Sequence, residues 1–328
     1  MRTFEYVRVS DVAEALAAAE HAGTAYLAGG TTQVDLMKDG VLTPERLVDI
    51  TRLPLRGILD TVSALHVGAL TTMEELAADP VITRRVPVVR EALLLGASVQ
   101  LRNTATIGGN LLQRTRCRYF RDPAVTACNK RAPGSGCAAV TGPARMHAIL
   151  GVSERCIALH ASDLAVALVA LDAVVHIEGA GGARSVPLTE FYAEAGTTPE
   201  VETVLARDEL ITAVEIPLLP ETAHSGYLKV RDRVSYEFAL VSVAAALEIE
   251  DGVVRTARIG LGGVGSKPWR AVAAEEVLRG APATVASYRE AAAAAVTGAW
   301  TVPGTAFKVE LAQRALVRQL LTVSESAR

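Results

Sequence analysis

The sequence predicts a mixed helix-and-strand protein built from two or three packed units, and three observations carry that prediction. The chain has 328 residues, more than one hydrophobic core usually organises. Short apolar strands alternate with capped helical segments along its length. Prolines and small polar residues cluster in Pro217-Leu-Leu-Pro220-Glu-Thr-Ala-His-Ser-Gly226, which marks a boundary between units.

Composition narrows the function classes. Half the residues are apolar but only 4% are aromatic, so the cores are built mainly from Ala, Val, Leu and Ile. A net charge of −3 argues against nucleic acid as the main partner, because phosphate backbones are bound by an excess of Lys and Arg. The first residues lack the uninterrupted apolar core of a secretory signal. The apolar stretch Leu164 to Ile177 is broken by Asp172 and is shorter than the roughly 20 residues that span a bilayer. The default expectation is a cytoplasmic protein without a membrane span, reaching the periplasm only by co-export with a partner that carries the signal.

Taken in order, Asp11 and Glu14 frame a capping box that opens a helix stopped near Gly23. A strand at Ala25–Ala28 runs into Gly29-Gly30-Thr31-Thr32, followed by a short helix from Gln33 to Asp39 and a strand at Leu47–Ile50. Residues 57 to 70 read as a hairpin, Thr71 to Glu74 as a capping box, and Arg84 to Leu95 as one helix stopped by Gly96. A second small-residue turn follows, Thr106-Ile107-Gly108-Gly109-Asn110. Ser162 or Asp163 caps a helix, residues 173 to 188 form a hairpin, and Glu209 to Pro217 is a strand. Beyond the boundary, strands resume at Tyr227, pair across Asp251-Gly252, and give way to helices at 270–278, 288–296 and 307–321.

The two glycine turns are candidate anion sites. Strand, glycine turn and helix N-terminus together leave backbone N–H groups pointing outward, which suits a phosphate oxygen. Either turn alone is ordinarily just a tight turn, but two in one chain fit a diphosphate, with one loop serving each phosphate. A third glycine run, Gly260-Leu-Gly262-Gly-Val-Gly265, matches the dinucleotide fingerprint but fails its context. The strand before it alternates apolar and polar residues, and no acidic strand end follows about 20 residues later.

All four cysteines lie between residues 117 and 156: Cys117, Cys128, Cys137 and Cys156. The gaps of ten, eight and eighteen residues are wider than the short knuckles of a zinc ribbon. A four-iron, four-sulfur (4Fe-4S) cluster, with ligands at separated corners, tolerates them. Arg114, Arg116, Arg118, Arg121, Lys130 and Arg131 face a single acid, Asp122, between residues 114 and 131, and would offset the charge of such a cluster. Zinc, two local disulfides and free thiols remain open on spacing and charge alone.

The segments Ala28–Thr32, Thr106–Asn110, Ser162-Asp163-Leu164, Glu215-Ile216-Pro217 and Leu261–Val264 occur in an order that resembles the FAD-binding (medium) subunits of the molybdenum hydroxylases. The resemblance covers nearly the whole chain. It implies an α+β fold: a two-lobed FAD-binding domain of the vanillyl-alcohol-oxidase type over residues 1–220, with lobes of about 1–55 and 56–220, then a smaller α+β domain over 221–328. FAD would be bound by Ala28, Gly29, Gly30, Thr31, Thr32, Thr106, Gly108, Gly109 and Asn110 at its diphosphate. Ser162 and Asp163 would lie at the adenosine side, Ile211 against the isoalloxazine ring and Lys229 near the flavin. Thr32 departs slightly from the common first-turn pattern but still offers a hydroxyl.

The insertion over residues 114–157 looks most like the flavin subunit of bacterial three-subunit aldehyde oxidoreductases, which implies a 4Fe-4S cluster on the four cysteines. The resemblance further implies a molybdenum-cofactor large subunit, a 2Fe-2S small subunit and an external electron acceptor, with no substrate-oxidising residues in this chain. The rival readings are a self-contained flavin oxidase and a metal-stapled, non-catalytic assembly subunit.

Overall fold

The structure is a computed structural model that describes residues 1–326. The first unit contains β1 (Glu5–Arg8), α1 (Val12–Ala19), β2 (Thr24–Leu27), α2 (Gln33–Lys38) and β3 (Arg46–Asp49). Its three strands run parallel in the order β1-β3-β2. Strand β1 is absent from the sequence-based expectation, because Glu5-Tyr-Val-Arg8 is largely exposed and carries no apolar run. Asp11 caps α1 by accepting from the Glu14 N–H, while Glu14 reaches back to the Ser10 N–H at 2.9 Å.

The second unit holds β4 (Ile58–Asp60), β5 (Ala64–Gly68), α3 (Met73–Ala78), α4 (Pro80–Arg85), α5 (Pro87–Leu95), α6 (Val99–Arg102), α7 (Ile107–Leu111), α8 (Arg118–Arg121), α9 (Asp163–Ala170), β6 (Val174–Gly179), β7 (Gly182–Pro187), α10 (Leu188–Phe191) and β8 (Leu210–Pro217). The strands form an antiparallel sheet in the order β4-β5-β8-β6-β7. One face, including Leu65, Val67, Val175, Ile177, Val214 and Ile216, is buried in a core shared with α3, α5 and α9. The helix expected over Arg84–Leu95 is two helices that meet at Val86. Pro87 has no N–H to continue the first and disfavours helical geometry in the residue before it. The capping box lies one residue later than expected, on Thr72 and Glu75.

The third unit comprises β9 (Ala223–Val230), β10 (Val241–Glu250), β11 (Val253–Gly262), β12 (Trp269–Arg270), α11 (Val272–Leu278), α12 (Val285–Ala295) and α13 (Phe307–Ser326). Its antiparallel sheet, β12-β11-β10-β9, packs on α11, α12 and α13 through Val241, Val243, Ala245, Leu247, Tyr288 and Leu316. The fingerprint-like glycines end an antiparallel strand here. A side chain at Gly260 would collide with the carbonyl of Val166 in α9, so these glycines allow α9 to approach the sheet. No helix among the described residues is long and apolar enough to cross a membrane.

Lys308 is fully buried in this third unit, where its Nζ donates to the Gly263 carbonyl at 2.6 Å. Burial, with a smaller push from Arg145, lowers its pKa from 10.5 to about 7. The native state therefore binds fewer protons than the unfolded chain between those two values, so stability rises as pH rises through that window. Lys308→Met is expected to flatten the rise in melting temperature between pH 7 and 9; equal slopes in both proteins would contradict the assignment.

Candidate functional site

The first glycine turn connects β2 to α2. Among the described residues, none accepts a hydrogen bond from the N–H groups of Gly29, Gly30, Thr31, Thr32 or Gln33. Five consecutive free donors form a nest for an anion, and Gly30, at φ +70°, adopts the left-handed backbone that turns the loop back toward α2. The second turn differs. Its Ile107, Gly108 and Gly109 N–H groups donate to the Thr71 carbonyl, the Ala69 carbonyl and the Thr106 hydroxyl. The backbone donors that the sequence reading shared between two loops are thus concentrated in the first, while the second braces it.

The turns touch at Gly29, where a Cβ would collide with the carbonyl of Thr104 and crowd Ala105. Gly29→Ala is therefore expected to push the turns apart and leave the protein folded by circular dichroism but depleted of flavin. Full flavin content in that variant would refute the close-approach argument.

Two clefts open from this junction. The first, of about 230 Å³, is lined by Ala28 through Gln33, Thr106, Gly108, Gly109 and Ile211. The second, of about 350 Å³, is lined by Thr31, Thr32, Gly109, Asn110, Asp163 and Lys229. Thr31, Thr32 and Gly109 face both, so the clefts form one extended site that meets at the anion nest. Ser162 faces neither: its hydroxyl caps α9 through the Ala165 N–H at 2.9 Å and donates to Asn110 Oδ1 at 2.5 Å. That hydroxyl holds the Asn110 side chain, which lines the second cleft.

Asp163 and Lys229 form a buried ion pair at 2.7 Å, and the Tyr227 hydroxyl donates to the other Asp163 oxygen at 2.8 Å. Burial raises the Asp163 pKa, while Lys229 and Tyr227 work against that rise. Asp163 and Lys229 both line the second cleft. Ile211 lines the other cleft.

The second cleft also contains residues the sequence reading did not select: Asp35, Arg116, Arg233, Tyr236 and Phe238. Arg116 lies over the Phe238 ring at 5.0 Å and donates to Asp35 at 3.2 Å. In a chain with 4% aromatics, Tyr236-Glu-Phe238 in a loop was the available sign.

The cysteine segment, directly after the second turn, is held by polar contacts rather than by a sheet. The Arg131 guanidinium donates to the carbonyls of Tyr119 and Phe120 at 2.6 Å each, to that of Asp122 at 2.9 Å, and to that of Val125. Asn129 and Gly136 exchange two hydrogen bonds, at 2.7 and 2.9 Å, which bring Cys128 beside Cys137. Cys117, Cys128, Cys137 and Cys156 converge on one small cavity and are not disulfide-bonded.

Four thiols around one cavity are a donor set for a soft metal ion or an iron–sulfur cluster. A tetrahedral zinc with sulfur bonds of about 2.3 Å would draw its thiolates to within about 4 Å of each other. Among the described residues, the one set of three His, Cys, Asp or Glu ligand atoms lying within 4.8 Å of one another contains no cysteine. One backbone donor already serves a sulfur: the Ala158 N–H donates to Cys156 Sγ at 3.4 Å. N–H···S bonds of this kind stabilise cluster thiolates. The neighbouring Cys156 thiol lowers the Cys137 pKa, while burial pushes Cys117 up to about 11. His147 Nε2 lies 3.2 Å from Cys117 Sγ, and burial lowers that histidine to about 4, which keeps it neutral.

The basic residues around the cysteines divide by role. Lys130 favours the Cys156 thiolate electrostatically, whereas Arg116 and Arg121 pair with Asp35 on α2 and Arg131 staples carbonyls. Arg116 lines the second cleft, and the next residue, Cys117, lines the cysteine cavity. The two sites are therefore adjoining in the chain and in space.

An anion nest between two adjoining clefts, on this α+β scaffold, suits an elongated cofactor with phosphate at its middle. Residues 2–219 match the family described as the FAD binding domain in molybdopterin dehydrogenase, and residues 226–323 match the CO dehydrogenase flavoprotein C-terminal domain. The aldehyde oxidoreductase FAD-binding subunit PaoB of Escherichia coli strain K12 is 50% identical over 281 residues, 85% of this chain and 86% of that protein. The glyceraldehyde dehydrogenase medium chain of Sulfolobus acidocaldarius is 28% identical over 83% of this chain and 80% of its own length. Among solved structures, a carbon monoxide dehydrogenase chain from Hydrogenophaga pseudoflava superposes with a TM-score of 0.77 at 26% identity, covering 99% of this chain and 98% of that one. The chain belongs to the FAD-binding medium subunits of the molybdenum hydroxylases, a family of oxidoreductases.

Proposed function

We propose that this chain is the electron-transfer flavoprotein subunit of a molybdenum-dependent aldehyde oxidoreductase, and that it holds a 4Fe-4S cluster on Cys117, Cys128, Cys137 and Cys156. The observation that carries the reading is the adjacency of the anion nest and the four-thiol cavity, joined through Arg116 and Cys117. Bound FAD supplies the chemistry that couples one-electron and two-electron carriers. The chain's own residues bind and orient: the N–H groups of residues 29 to 33 take the diphosphate, Asn110 is set by Ser162, and the Asp163–Lys229 pair fixes one end of the cleft. Likeness to the PaoB protein over 85% of this chain supports the aldehyde reading.

The companions follow from the same reading: a large chain with the molybdenum cofactor where substrate is oxidised, a small chain with 2Fe-2S clusters, and an external acceptor. Co-purification from the native host tests it. Recovery of both companions, with molybdenum, is expected. A flavin-loaded chain that travels alone and turns over an alcohol or aldehyde would instead make it a self-contained oxidase.

A further inference from the structure

The outer face of the five-stranded sheet carries a feature unrelated to flavin or cysteines. His66 on β5, Glu215 on β8 and His176 on β6 lie on three neighbouring strands, on the face opposite the core. His66 stands directly across from Glu215 in register, and His176 lies diagonal to it, across from Ala213. His66 Nδ1 and His176 Nε2 both face Glu215 Oε2, at 3.7 and 3.2 Å. The three ligand atoms lie within 4.8 Å of one another.

We propose that His66, His176 and Glu215 form a binding site for one divalent transition-metal ion of the zinc class. Two imidazoles and one carboxylate suit a borderline-soft ion, and three protein ligands leave its remaining position open to water. The rigid sheet beneath, with Val67, Val175 and Val214 buried, presets the donors so that small rotamer adjustments bring them onto one ion. Among the described residues, no Lys or Arg pairs with Glu215, whose charge partners are the two imidazoles. A fourth residue positions the site: Ser185 on β7 lies with its hydroxyl 2.9 Å from His176 Nδ1. When that hydroxyl accepts from Nδ1–H, the Nε2 lone pair is left free for the metal.

The test is zinc titration of the purified flavin-loaded protein, followed by calorimetry and metal analysis. The wild type is expected to take up one saturable equivalent that His66→Ala, His176→Ala and Glu215→Gln each lose, with flavin absorption unchanged. Ser185→Ala is expected to bind about tenfold more weakly, with recovery in Ser185→Thr. Cobalt in the site is expected to show d–d bands without thiolate-to-metal charge transfer. Zinc uptake unchanged in all three ligand variants, or cobalt spectra dominated by thiolate bands that persist in His176→Ala, would overturn the assignment and place the ion on the cysteines.

Discussion

Cys156→Ser is expected to abolish iron binding in this chain while leaving FAD in place. Cys156 is buried, lines one cavity with the other three cysteines, and receives the Ala158 N–H at 3.4 Å. A serine hydroxyl is a poor iron ligand, and losing one corner of a four-thiolate cluster exposes the remainder. Iron is expected to fall from about four per chain to less than about one. FAD should remain because the cleft lined by residues 28 to 33 shares no lining residue with the cysteine cavity. Iron unaffected by the change would exclude Cys156 as a ligand. Loss of flavin and iron together would show that the cysteine segment braces the nest.

The second large effect is expected at Lys229. Lys229→Met leaves Asp163 buried with Tyr227 as its remaining partner, and breaking a buried pair from one side costs about 3–5 kcal/mol. The pair joins α9 to β9, so the loss falls on the contact between the second and third units. Urea denaturation should show that drop, and the double variant Lys229→Met with Asp163→Leu should regain much of it, because no charge is then left unpaired. A single variant within about 1 kcal/mol of wild type would mean that water reaches Asp163 and the pair is not the clamp described.

Much of this arrangement was legible in the sequence because its marks are local. Glycine turns, capping residues such as Asp11 and Ser162, and alternating strands such as β6 announce themselves within a few residues. The four thiols were legible as a group because no other cysteine competes with them. What stayed hidden depends on pairing at a distance. Strand β1 exists because β3 offers it a parallel edge 41 residues away, from Glu5 to Arg46 in register. Asp163 and Lys229 are 66 residues apart, so nothing local said that they meet. The unequal use of the two turns could not be read either, since the backbone donors of the second are taken by Ala69 and Thr71, far upstream. His66, His176 and Glu215 likewise meet only through the strand order β5-β8-β6.

The central claim is that one chain carries an FAD nest and, next to it, a four-cysteine cluster site. The most direct measurement is the iron, zinc and flavin content of this chain, purified without oxygen and separated from companion chains. About four irons and one FAD per chain, with a broad iron–sulfur absorption beneath the flavin bands, are expected. One FAD with zinc in place of iron, or with no metal on the cysteines, would contradict it.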